Sequence, residues 1–281
     1  MPKRIAVISD TISTDQLFQV WHNYYSWLFG PRHLYVVTYR GLSPKFSHVE
    51  LGGLWEIPEN YNDPVRCRVI SSLVKALLGS YDYVVRCDID EILVPDPRQA
   101  PDLAAYIETL DHPYMTGRGL EVMEGYDEPP LSPGIPILVQ QRKLAFRSSS
   151  LNKTCITSVP LEWGSGFHGA TVFPVLRDLY IFHIKYTDVT GRLQWLADLR
   201  ASAPGNAEVE RYCDTGISHI QQMRTAVLGR QLQTGWESFA DRSFDQTYLD
   251  TVKYDAAKIY LGEFQQDDKL LEIPREFLGL L

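Results

Sequence analysis

Three carboxylates fall within four residues in the segment YDYVVRCDIDEIL, residues 81–93, where Asp88, Asp90 and Glu91 follow an apolar run and precede Ile92 and Leu93. In an extended backbone residues i and i+2 share a side, so Asp88 and Asp90 are expected to present both carboxylates to one pocket while Ile89 faces away. Like charges that close repel unless a cation compensates them, and the hard divalent ions Mg²⁺ and Mn²⁺ favour oxygen ligands. Such an ion keeps positions open for substrate phosphates and stabilises a departing diphosphate. Without a ligand the same residues make a solvated turn at a strand end, with Asp88 or Glu91 capping the next element.

The elements around this cluster alternate. Ile5 to Ser9 is a short apolar run ending in Asp10-Thr11, and Leu17, Trp21, Tyr24, Tyr25 and Leu28 then recur at helical spacing. Ser13 or Thr14 can cap that helix and Gly30 can end it. HLYVVTYR and LWEIP read as strands, and a second helix runs from Asp63 to Gly79 before the strand at Tyr83 to Arg86. Strands apolar on both faces that alternate with helices predict a parallel sheet covered on both sides, with ligands beyond the carboxyl ends of the strands. Both ISDT and VVRCDIDE put their acids at such ends.

Beyond a helix at about 99 to 110, YMTGRGLEVMEGY and IPILVQQRKLAFRSSS read as longer strands of a mixed sheet, separated by a Pro-rich loop at 129 to 136. RDLYIFHIKYTD is a further strand, and residues from about 189 to 228 have helical periodicity.

The composition narrows the function classes. The 281 residues carry 35 acidic and 27 basic side chains, a formal net charge of −8, so no basic field exists to hold nucleic acid. Cys67, Cys87, Cys155 and Cys213 have no CxxC spacing, which argues against a disulfide scaffold or a zinc site and for a reducing, cytoplasmic compartment. The apolar run after MPKR is too short for a signal-peptide core, and no segment reaches membrane-spanning length without charge. The 6 Trp and 16 Tyr suit sugar- or base-lined pockets as well as core packing.

YDYVVRCDIDEILVPDP resembles the strand, DxDE and apolar pair of GT-A-type glycosyltransferases in the family-2-like group. NKTCI, EWGSGFH and LYIFHIKY resemble that group's later Lys, Trp-x-x-x-x-His and His-x-Lys-Tyr blocks in the same order. The resemblance covers about residues 5 to 190. It implies a GT-A-type α/β fold, with a Rossmann-like nucleotide-binding half, a mixed central sheet and a helical C-terminal part. The domains would be 1–188 and a packed extension at 189–281.

It also implies roles. A nucleotide-diphosphate sugar is the expected donor, with Asp10 and Thr11 near the nucleoside and Asp88 near the ribose or the metal. Asp90 is the principal expected ligand of Mn²⁺ or Mg²⁺, with His183 a third contact. Lys185, Lys153 and Arg66 are candidates to neutralise diphosphate oxygens. Trp163 and His168 border the Gly-rich turn GSGFHG, where Trp163 either stacks on a sugar or pins the turn, and His168 meets a donor phosphate or an acceptor hydroxyl. If the reaction inverts the anomeric centre a base is needed, and Glu121, Glu124, Asp127, Glu162 and His168 are the candidates.

The acceptor is expected to be a saccharide or lipid-linked hydroxyl, with peripheral membrane contact and a place in surface polysaccharide or glycolipid assembly. The acceptor-side Glu-Asp pair and Gln/Arg-x-x-Arg-Trp block of processive members do not occur. The rival from outside enzymology is a non-catalytic carbohydrate- or nucleotide-binding protein.

Overall fold

The computed structural model describes residues 2–11, 16–39, 48–57, 62–125, 127–132, 134–202 and 204–279. The chain runs through β1 (Ile5–Thr11), α1 (Gln16–Phe29), β2 (Leu34–Thr38), β3 (Gly53–Glu56), α2 (Asp63–Leu77), β4 (Tyr83–Arg86), β5 (Glu91–Pro95), α3 (Leu103–Thr109), β6 (Tyr114–Met123), β7 (Leu144–Arg147), β8 (Thr154–Thr157) and β9 (Leu176–Tyr186). It continues through α4 (Val189–Ser202), α5 (Ala207–Gly229), β10 (Gln231–Gln233), α6 (Trp236–Ala240), α7 (Ser243–Thr251), β11 (Lys253–Tyr254), β12 (Tyr260–Leu261) and β13 (Lys269–Glu272). The fold is α/β with a large mixed central sheet, an arrangement compatible with a Rossmann-like fold.

Two compact units share the chain. The first comprises Met1–Leu120, Arg147–His183 and Arg242–Gln266. Its strands follow the order β3-β2-β1-β4-β8-β6, with β1, β2, β3 and β4 parallel and β8 antiparallel to both β4 and β6. Every residue of β1 and β4 is buried, as expected for strands covered on both faces. β5 pairs antiparallel with β9, bringing Glu91 opposite His183.

Local chemistry sets the helix ends. Asn62 caps α2 by accepting a hydrogen bond from the Val65 amide at 3.1 Å, with Pro64 in the first turn. Gly30, at φ +84°, ends α1 as expected. The caps expected at Ser13 or Thr14 lie outside the described residues.

The second unit comprises Glu121–Phe146, Ile184–Asp241 and Asp267–Leu281. Its sheet order is β10-β13-β7-β6, and α4 and α5 bury Leu196, Cys213, Ile220 and Met223 against Met123, Phe146, Tyr186 and Val189. Arg142, fully buried, donates to the carbonyls of Thr187 at 2.5 Å and Pro129 at 3.0 Å.

Two expectations need correction. The stretch after residue 188 is helical at first, in α4 and α5, but not wholly so, since β10 to β13 follow them. Arg242–Gln266 groups with the first unit. The long strand expected over IPILVQQRKLAFRSSS is confined to β7: Arg142 turns back to donate to Ile137 O at 2.8 Å and Val139 takes φ +68°, which breaks the extended run. Among the described residues no helix is long and apolar enough to cross a membrane, and the four cysteines are free and buried.

Candidate functional site

Asp10 ends β1 and Asp88 follows β4, its parallel neighbour, so both acids emerge at the carboxyl edge of the first unit's sheet. They do not face a cation-free pocket. Arg66, one turn into α2, donates from Nε to Asp10 and from Nη2 to Asp88 at 2.5 Å. Arg86, the last residue of β4, reaches both acids as well.

Lys153, just before β8, completes the arrangement with Nζ 2.7 Å from Asp88 Oδ2 and 2.5 Å from Glu91 Oε1. Burial alone would raise the Asp88 carboxyl, but Arg86, Lys153 and Arg66 together hold it well below the usual carboxylate range. Burial depresses the Lys153 ammonium, and Asp88 and Glu91 more than reverse that, leaving it raised.

The backbone explains why Asp88 and Asp90 part company. Residues 88–91 form a turn closed by Glu91 N–H donating to Asp88 O at 3.0 Å, so the period-two argument for an extended segment does not apply. Glu91 Oε2 in turn accepts the Asp88 amide at 3.0 Å, which makes Glu91 a turn-closing acid. Asp88 is directed to the three cations, whereas Asp90 Oδ2 lies 3.3 Å from His183 Nε2. Asp90 and His183 are 18% and 11% exposed at their side chains.

The GSGFHG turn locks onto this cluster. Gly166 donates its amide to Asp63 Oδ2 at 2.8 Å, and Asp63 Oδ1 lies 3.3 Å from Arg66 Nη1. The Phe167 ring lies under both guanidinium groups, 3.1 Å from Arg86 Cζ and 4.5 Å from Arg66 Cζ. Arg86 Nε and Nη1 are buried without a hydrogen-bond partner among the described residues, so the aromatic face is what compensates that side of the guanidinium.

Other expected site residues fall in different places. Trp163 is buried in the core and donates from Nε1 to Thr154 O at 2.9 Å, so it pins the turn and does not offer a face to a sugar. Thr11 is buried at the end of β1, and Glu162 is exposed. Glu121 is buried on β6 and Lys185 lies on β9, both within the second unit. Glu124 accepts the Val189 amide at 2.9 Å, a structural task at the start of α4. Asp127 is exposed.

Among the described residues no group of three His, Cys, Asp or Glu side chains stands ready to enclose a metal. Asp88 does not suit a metal, since its carboxylate already meets three cations. Asp90 and His183 do suit one: a carboxylate oxygen and an imidazole nitrogen converge, and a divalent ion held by two side chains takes its remaining ligands from water and phosphate.

Sequence reasoning missed Arg86, Asp63 and Phe167. Arg86 had a legible signal, an arginine at the end of an otherwise apolar run, because a charge so placed must be paired. No protein-family model matches the chain and no curated protein matches it.

Proposed function

We propose that the protein is a metal-dependent glycosyltransferase of GT-A type, transferring a sugar from a nucleotide-diphosphate donor to a hydroxyl acceptor. The observation that carries this reading is the convergence of Asp90 and His183 beside the carboxyl edge of a Rossmann-like sheet, next to the buried cations Arg66, Arg86 and Lys153. An acid, an imidazole and a set of buried cations suit a diphosphate whose charge a metal shares. In the reaction a bond forms from the acceptor oxygen to the anomeric carbon as its hydroxyl proton passes to a base, and the bond from that carbon to the diphosphate breaks with its electron pair leaving on the diphosphate. A bound Mn²⁺ or Mg²⁺ would supply charge neutralisation to the departing diphosphate, with Asp90 and His183 as its protein ligands.

The chain's own groups have separate tasks. Lys153 and the two arginines fix Asp88 in its ionised form and occupy both of its oxygens, so that carboxylate holds the cations together at the sheet edge.

The test is calorimetric binding of UDP and GDP to the purified protein with Mn²⁺ or with chelator. At least tenfold tighter binding with Mn²⁺, lost in Asp90→Ala and in His183→Ala, is expected. Equal affinity in both conditions would refute the metal role and leave a metal-independent nucleotide- or carbohydrate-binding protein as the better reading.

A further inference from the structure

His168 and Phe264 come together although 96 positions separate them in the chain, with ring centroids 4.7 Å apart at an interplanar angle of 61°. Both rest on the short segment Ser148–Ser150. His168 Nδ1 lies 2.6 Å from Ser150 O, which makes it the protonated nitrogen of the neutral ring. The Phe264 segment is held from both sides by Ser149, whose hydroxyl donates to Glu263 O at 2.9 Å and accepts the Gln265 amide at 2.7 Å. The Phe264 ring is nevertheless 56% exposed, so a firmly held backbone presents an uncovered aromatic ring.

Nε2 of His168 is left as an acceptor with no hydrogen-bond partner among the described residues. Gly166 keeps the space beside it open: a Cβ there would lie 2.5 Å from Nε2, and its φ of +64° favours glycine independently. Burial, reinforced by Lys153, pushes the imidazole down to about 4, so the ring is neutral at neutral pH. A neutral ring whose only N–H is committed to Ser150 has no proton to give a phosphate oxygen. It can accept a hydrogen bond from a hydroxyl.

We infer that His168 and Phe264 form the subsite for a hydroxyl-bearing sugar ring, with Nε2 accepting a hydroxyl proton as a hydrogen bond and the Phe264 ring covering the sugar's C–H face. Pyranose rings pair an apolar face with hydroxyls at its rim, and an exposed aromatic beside an unsatisfied acceptor matches that combination. The assignment of this sugar as the acceptor rests on the glycosyltransferase reading. His168 is then a positioning residue for the attacking hydroxyl.

The test is saturation-transfer NMR on the full chain with methyl glucoside, galactoside, mannoside and N-acetylglucosaminide, paired with UDP and GDP binding in Mn²⁺ on the same samples. At least one glycoside is expected to receive saturation, falling at least fivefold in Phe264→Ala and in His168→Phe, with part of the signal retained in His168→Gln. Nucleotide affinity is expected to stay within twofold in all three variants. Phe264 is exposed, so its loss leaves the core intact and keeps the test readable should a His168 variant fold poorly. No saturation of any glycoside, or signals unchanged by the substitutions, would overturn the subsite. A fall in nucleotide affinity in His168→Phe would overturn it too, by moving the histidine to the donor. Glycoside binding that depends on both residues without any metal-dependent nucleotide binding would leave the subsite standing and remove the donor reading.

Discussion

Glu91 and Lys153 form a deeply buried ion pair in the first unit, 2.5 Å apart with side chains only 1% and 6% exposed. The glutamate, expected to cap the next element, closes the 88–91 turn with one oxygen and also neutralises a buried lysine with the other. A pair removed this far from water gains little over an apolar substitute of the same shape, yet losing either partner alone is expensive, because the survivor remains charged and buried.

Lys153→Met is therefore expected to destabilise the protein by about 3–5 kcal/mol, read from chemical denaturation midpoints at constant m. Adding Glu91→Gln should recover more than half of that loss. A single-variant cost below about 1 kcal/mol, the range of exposed pairs, would show that water reaches the pair.

How much of this was legible in the sequence depends on the range of the interaction. The β1–α1–β2 and α2–β4 alternation was readable because Val84 and Val85 or Trp21 and Tyr25 reveal their faces through local periodicity. The end of β4 at Arg86 was readable for the same reason. The direction of Asp88 and Asp90 was not, because a single turn hydrogen bond from Glu91 replaced the extended geometry on which period-two reasoning rests. The meeting of Asp90 with His183 depends on the β5–β9 register, which over about ninety residues of separation leaves no local trace, so only the family resemblance linked the two. Phe167 looked like an ordinary apolar residue in a glycine-rich turn, and nothing near it in sequence announced two guanidinium groups.

The position of Phe167 under those groups leads to a second expectation. Phe167→Leu keeps most of the buried volume and the backbone position at φ +59° but removes the aromatic face from Arg86 and Arg66. A desolvated cation–π contact is worth about 2 kcal/mol, so a stability loss of about 1–3 kcal/mol is expected once imperfect packing is included. The distinguishing readout is spectroscopic. The Nε–H resonance of Arg86, shifted upfield by ring current in the parent, should move towards its ordinary position in the variant. An unshifted parent resonance would show that the ring does not lie against that guanidinium.

His168 gives the stability a pH dependence of defined sign. Burial and Lys153 lower its value in the folded chain to about 4, against an ordinary 6.5, so the unfolded chain takes up a proton first as the pH falls. The stability gained by keeping the ring neutral is fully present above about 6.5 and is lost progressively towards about 4, at up to ~1.4 kcal/mol per pH unit. Asp88 acts in a lower window: its depressed carboxyl loses its contribution only as the pH drops below the ordinary aspartate value of about 3.9. Denaturation midpoints measured between pH 7 and 4.5 should therefore fall more steeply for the parent than for His168→Gln, and the difference should flatten above pH 7. Parallel curves for the two proteins across that range would mean that the imidazole titrates freely in the folded chain.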